Sequence, residues 1–290
     1  MNVIFRNKER QVRAGWELLL VVVAVLAVTV VASLIMSVKV DSKHVFGPDG
    51  WPQVFRSLGL YMFLVVGLTV KFVHKRPLSS IGLTRPDGRR LLQGCLAGAA
   101  LISSVIAVLW VLGAVTFTGD WQQPQWQRLD APDIVVSVLL AGVCEEVMFR
   151  GYIQHLLGRR LSMFWGVAVS AALFSLAHAA NPGYSWISAL NIVLIAVLFS
   201  WATIRTGSLY FAIGLHMFWN LLQGFVYSVA VSGLESQGIY SMQLSGSKWI
   251  SGGSFGVEGS LITTAILLIV CLCTLLRSSR KRSGRIPGPR

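Results

Sequence analysis

The chain has 290 residues, 54% of them hydrophobic and 13% charged, with a net charge of +13 and a mean hydropathy of +0.65. A soluble domain carries about 25% charged residues, so this composition excludes an ordinary soluble enzyme and places the chain in the membrane class. The basic residues gather at the chain ends and between apolar runs, a pattern that argues for membrane orientation and against nucleic acid as a partner.

In chain order, a basic start (Arg6, Lys8, Arg10, Arg13) leads into an apolar run from Trp16 to Val38. That run is too long for the core of a signal peptide and lacks a clear cleavage site, so it reads as an uncleaved first span. Seven more runs follow, at 55–73, 91–117, 132–156, 162–180, 184–204, 207–231 and 259–277. Each is long enough for a helix that satisfies its own backbone in lipid. No short alternating runs suggest a barrel. The expected fold is an all-α polytopic membrane protein with about eight transmembrane helices.

Orientation follows from the positive charges. With the N-terminus inside and eight alternating spans, the basic residues divide 19 inside to 5 outside, Arg150 set aside as intramembrane. Both termini are therefore expected in the cytoplasm. The organisation expected is a basic cytoplasmic N-terminus (1–15), an eight-helix membrane domain (16–277) with a core at about 132–231, and a basic, disordered tail (278–290) able to touch anionic lipid. Outer loops hold Trp121 and Trp126, read as interfacial anchors, and a Gly/Ser-rich stretch from Ser232 to Ser260. The four cysteines (Cys95, Cys144, Cys271, Cys273) lie in apolar runs without metal-type spacing, and no structural disulfide is expected.

Three polar clusters interrupt the apolar runs: Glu145-Glu146-x-x-x-Arg150, Phe174-x-x-x-His178 and His216-x-x-x-Asn220. At 1.5 Å per residue, their distances from the inner turns place them at a common depth of roughly 15–27 Å. Glu146 and Arg150, four apart, share a helix face and can pair, which offsets the cost of burying two charges. Glu145 lies about 100° round the helix and has no local partner. It must take up a proton or face other polar groups. His216 and Asn220 also share a face, and His178 on another helix can meet Glu145.

This set fits amide hydrolysis. A carboxylate beside an imidazole can take a proton from water and later return it. A second imidazole and a carboxamide can donate hydrogen bonds to a developing oxyanion. No serine, threonine or cysteine has an obvious paired base, so water is the expected nucleophile. Each group has a plainer role open to it. A single intramembrane His or Asn is often an interhelical hydrogen-bonding group, and Glu146 with Arg150 can be structural only. Two histidines, an asparagine and an unpaired glutamate at one depth are harder to assign to packing.

In this order the three motifs resemble those of the CPBP intramembrane proteases, a family that includes type II CAAX prenyl endopeptidases, bacteriocin-processing and self-immunity proteins, and the Abi proteins. The resemblance covers about 141–222. It implies that Glu145 is the general base, that His178 is its partner, that His216 and Asn220 form the oxyanion site, and that Glu146 and Arg150 support the helix and orient Glu145. It also implies a cavity open to the cytoplasmic side of a bacterial-type plasma membrane.

No cofactor is expected. A zinc ion held by Glu145, His178 and His216 is the alternative, but the His-Glu-x-x-His helix of known zinc enzymes is missing. The expected partners are the lipid bilayer and a membrane-anchored or lipidated protein or peptide substrate. Two other functions stay open: a non-catalytic scaffold or immunity protein, and a proton-coupled transporter, since intramembrane Glu and His also serve proton relays.

Overall fold

The computed structural model describes residues 12–39 and 51–283. Most of the basic N-terminus and the last seven residues of the tail lie outside that range. Helices overlay each of the eight apolar runs. The first is α1 (Ala14–Lys39), followed by α2 (Trp51–Leu68), which continues as a π turn to Val73. Then come α3 (Gly88–Val111), a composite rod from Ala131 to Arg160, α4 (Met163–Ala177), α5 (Trp186–Thr206), α6 (Tyr210–Asn220) with a π turn to Val226, and α7 (Leu261–Ser283). The described residues are mostly helical, and among them three helices are long and apolar enough to cross a membrane: Ala14–Ala32, Gly88–Val111 and Trp186–Thr206. On α1, Leu20 is 62% and Val30 57% exposed. A long helix that turns leucine and valine outward finds its solvent in lipid.

Three features depart from the expected pattern. The run at 91–117 is helical only to Val111, and its end forms β1 (Val115–Phe117). β1 pairs antiparallel with β2 (Met242–Leu244), so the chain is not purely helical. The β-branched and aromatic residues Val115, Thr116 and Phe117 favour strand once Gly113 has ended the helix with φ +71°. α7 continues past position 277 to Ser283, into sequence expected to be disordered. Arg and Lys are good helix formers and extend a helix already nucleated by its apolar part.

The chain divides into two compact units. Unit 1 comprises Met1–Gly98, Asp130–Ser170 and Ala202–Asn220, and unit 2 the remainder. In unit 1 the closest helix packing rests on glycine. A Cβ at Gly94 would sit 2.1 Å from the Phe211 carbonyl oxygen, one at Gly98 2.3 Å from that of Leu215, and one at Gly214 2.3 Å from that of Leu91. α3 and α6 thus touch backbone to backbone. Within lipid no hydrophobic force drives helices together, and such close van der Waals contact takes its place.

Unit 2 is organised by Asn191, 2% exposed on α5. Its Nδ2 donates to the carbonyls of Glu258 and Ser260, and its Oδ1 accepts from the Thr264 hydroxyl. The Glu258 carboxylate accepts from the Ser232 amide and hydroxyl. The Gly/Ser-rich stretch 232–260 is therefore a built loop: its end at 258–260 is tied to the Asn191 amide, and its start at Ser232 to the Glu258 carboxylate.

Candidate active site

The composite rod that carries the first motif is not a regular α-helix. It runs α over Ala141–Glu146, π over Val147–Ile153, and α again over Gln154–Arg160. Every residue of the π segment is buried. A π turn widens the helix by one residue, and such turns recur at functional sites. Just before it, Gly142 admits α6: a Cβ there would lie 2.6 Å from Cγ of Met217, the neighbour of His216. This close approach places the glutamates of one helix against the imidazole of another.

The outcome is a chain of charged groups inside unit 1. Arg150 Nη1 donates to Glu146 Oε1 at 3.0 Å, and both side chains are 0% exposed. The same Oε1 accepts from His216 Nδ1 at 3.1 Å. On the other edge of the ring, His216 Nε2 lies 3.9 Å from Glu145 Oε2. That distance is too long for a direct hydrogen bond, and it is a spacing a bridging water can close. Glu145 is the more open carboxylate, with 24% side-chain exposure. Asn220 stands one turn beyond His216 on α6 and is buried.

The sequence expectation for Glu146 needs enlarging. It pairs with Arg150 as the i,i+4 spacing requires, but it also fixes His216. Because a carboxylate can only accept here, Nδ1 carries the proton and Nε2 is the nitrogen turned to Glu145. A second residue escaped sequence reasoning. Gln154 lies four beyond Arg150, is 0% exposed, and its amide oxygen and nitrogen have no hydrogen-bond partner among the described residues. The series Glu146, Arg150, Gln154 forms a polar stripe at intervals of four, a signal readable once all three are set on one face.

His178 belongs to unit 2. α4 ends at Ala177, so His178 is the first residue of the following turn rather than part of the span. Its Nδ1 donates to the Phe174 carbonyl at 2.8 Å, and its ring meets that of Phe174 edge-on at 4.9 Å between centroids. The bond satisfies a carbonyl orphaned at the helix end. It also fixes the tautomer, leaving Nε2 as the basic nitrogen. Three residues on, Asn181 Nδ2 donates to the Ser232 carbonyl and ties this turn to the 232–260 loop.

In unit 1 Glu145 Oε2 and His216 Nε2 face each other at 3.9 Å, while Nδ1 is engaged by Glu146. A catalytic zinc needs three protein ligands. Among the described residues no three His, Cys, Asp or Glu side chains are grouped so as to hold a metal ion. Cys144, beside the glutamates, is 2% exposed, and all four cysteines are free thiols.

Residues 125–222 match the family model described as type II CAAX prenyl endopeptidase Rce1-like. The matched stretch contains all three motifs and bears out the resemblance they carry. No curated protein and no solved structure matches the chain.

Proposed function

From the family of the 125–222 segment and the arrangement around His216, we propose that the protein is an intramembrane endopeptidase. It hydrolyses a peptide bond of a membrane-associated or lipidated protein or peptide. The observation that carries this is a buried imidazole held by Glu146 on one nitrogen and turned toward the more open Glu145 on the other.

The chemistry needs only these side chains and water. Glu145 takes a proton from a water lying between its carboxylate and His216 Nε2. The hydroxide attacks the substrate carbonyl carbon, and negative charge moves to the carbonyl oxygen. Asn220, and His216 in the doubly protonated form that carries a proton on Nε2 as well as on Nδ1 before the water is activated, donate hydrogen bonds to that oxyanion. Collapse breaks the C–N bond, and the proton held by Glu145 passes to the leaving amine. Glu146 and Arg150 are positioning residues: they fix the ring of His216. For His178, whose basic nitrogen is Nε2, the family resemblance implies a part in proton transfer. Eight membrane crossings with both termini cytoplasmic put the site within reach of the cytoplasmic face.

The test is cleavage in liposomes. Purified protein is supplied with a farnesylated CAAX-type peptide and, separately, with unlipidated membrane-anchored peptides. Wild-type protein cleaves at least one class, while Glu145→Gln and His216→Ala lose about 10²–10⁴-fold in rate at unchanged helicity. Chelator inhibition reversed by added zinc would overturn the metal-free mechanism. Equal cleavage by Glu145→Gln would overturn the base assignment. Solute flux driven by a pH gradient, with no cleavage, would favour the transporter alternative. A phenotype that survives both substitutions would favour the scaffold or immunity protein.

A further inference from the structure

Away from the proposed active site, unit 1 holds a second cluster of charge. Glu17 on α1 accepts from the Tyr152 hydroxyl at 3.2 Å and lies 2.7 Å from His74 Nε2, both through Oε1; Arg160 Nη2 approaches its Oε2 at 3.6 Å. The rings of Tyr152 and His74 stack at 5.9 Å. One carboxylate is thereby committed to an imidazole and a guanidinium. Arg76 and Arg159 stand close by with less to balance them. Arg159 Nη1 donates to the Ser80 carbonyl at 3.3 Å, and its guanidinium forms no ion pair among the described residues, though Glu17 acts on it at longer range. Partial burial first, then the charge of Arg76, lower the pKa of the Arg159 guanidinium from its ordinary value. Basic residues at a helix C-terminus partly offset the helix dipole, but Arg76 follows a turn closed by Lys75 at φ +53°, outside any helix.

The surroundings narrow the anion that would balance this charge. Large apolar side chains turned outward flank these residues in sequence: Phe72 at 62% and Val73 at 73% exposure directly precede His74, and Phe164 at 71% and Trp165 at 52% follow Arg160. A free phosphate or an acidic peptide has no use for such a rim. A phospholipid uses both parts, with its phosphate on the arginines and its acyl chains along the apolar side chains. Basic pockets at the cytoplasmic ends of membrane helices hold anionic headgroups in this way.

We propose that His74, Arg76, Arg159 and Arg160 form a binding site for the phosphate of an anionic phospholipid. The site is independent of the protease assignment. Glu17 and Tyr152 order His74 and Arg160 in advance, while Arg76 and Arg159 supply the unbalanced charge.

Native mass spectrometry of the full chain in neutral detergent tests this, with phosphatidylglycerol and phosphatidylcholine of identical acyl chains, and with inorganic phosphate as a third arm. The wild-type protein retains phosphatidylglycerol in preference to phosphatidylcholine. The double variant Arg76→Gln/Arg159→Gln loses that preference by about thirtyfold, as expected for two interfacial arginines. Lys248→Gln, in unit 2, keeps it. Equal retention of the two lipids by wild-type protein would overturn the proposal without recourse to any variant. So would an unchanged preference in the double variant, or displacement of phosphatidylglycerol by millimolar phosphate.

Discussion

His216 divides two adjacent glutamates into different surroundings. Glu146, wholly buried, holds Nδ1 and Arg150 through the same oxygen, while Glu145 keeps partial exposure and faces Nε2. The division predicts distinct losses on substitution. Arg150→Leu leaves Glu146 as a buried charge short of its partner and is expected to destabilise the fold by about 3–5 kcal/mol, read as a lowered midpoint of unfolding in detergent. Glu146→Gln keeps the volume and much of the hydrogen bonding but weakens the hold on the His216 tautomer. It is expected to lower kcat with KM little changed and to shift the pH–rate profile; a change in KM alone would point to a role in substrate binding. The Glu146–Arg150 pair was legible in the sequence because helical spacing fixes which residues share a face. The bond from Glu146 to His216 was not, because it joins residues 70 apart in sequence. Depth along a helix says which groups share a layer, but not how each helix is rotated.

At the scale of elements, four glycines (Gly94, Gly98, Gly142 and Gly214) and one π segment set the positions of those side chains. The backbone contact of α3 with α6 fixes the helix that carries His216. Gly98→Val or Gly214→Val must push the helices apart, since a carbonyl oxygen cannot yield as a flexible side chain can. Each is expected to cost at least about 1–3 kcal/mol and to reduce peptide cleavage beyond the loss of folded protein, measured as activity per folded molecule. An unaltered specific activity would show that α6 is positioned by other contacts. The helices themselves were legible from run length alone. The π segment 147–153 was not, because hydropathy is blind to whether a turn closes over four residues or five. Nor was the strand at 115–117, where an apolar run continues unbroken through a change of backbone. The 258–260 end of the outer loop is likewise fixed by Asn191, a buried amide whose partners there lie 67 and 69 residues away.

For the whole molecule, the distribution of basic residues carries the proposed topology. A fluorescent protein that folds only in the cytoplasm, fused after Arg290, is expected to fluoresce, and a fusion within the 232–260 loop is expected to stay dark. A bright loop fusion would invert the orientation and with it the side from which substrate enters. The central claim is that Glu145 activates water to cut a peptide bond within the membrane. It is tested most directly by incubating membranes containing wild-type or Glu145→Gln protein in ¹⁸O-labelled water, then comparing membrane polypeptides by mass spectrometry. The account predicts at least one polypeptide shortened only by the wild-type protein, its new C-terminal carboxylate carrying a single ¹⁸O. Identical polypeptide profiles from the two proteins, with both correctly inserted, would contradict it.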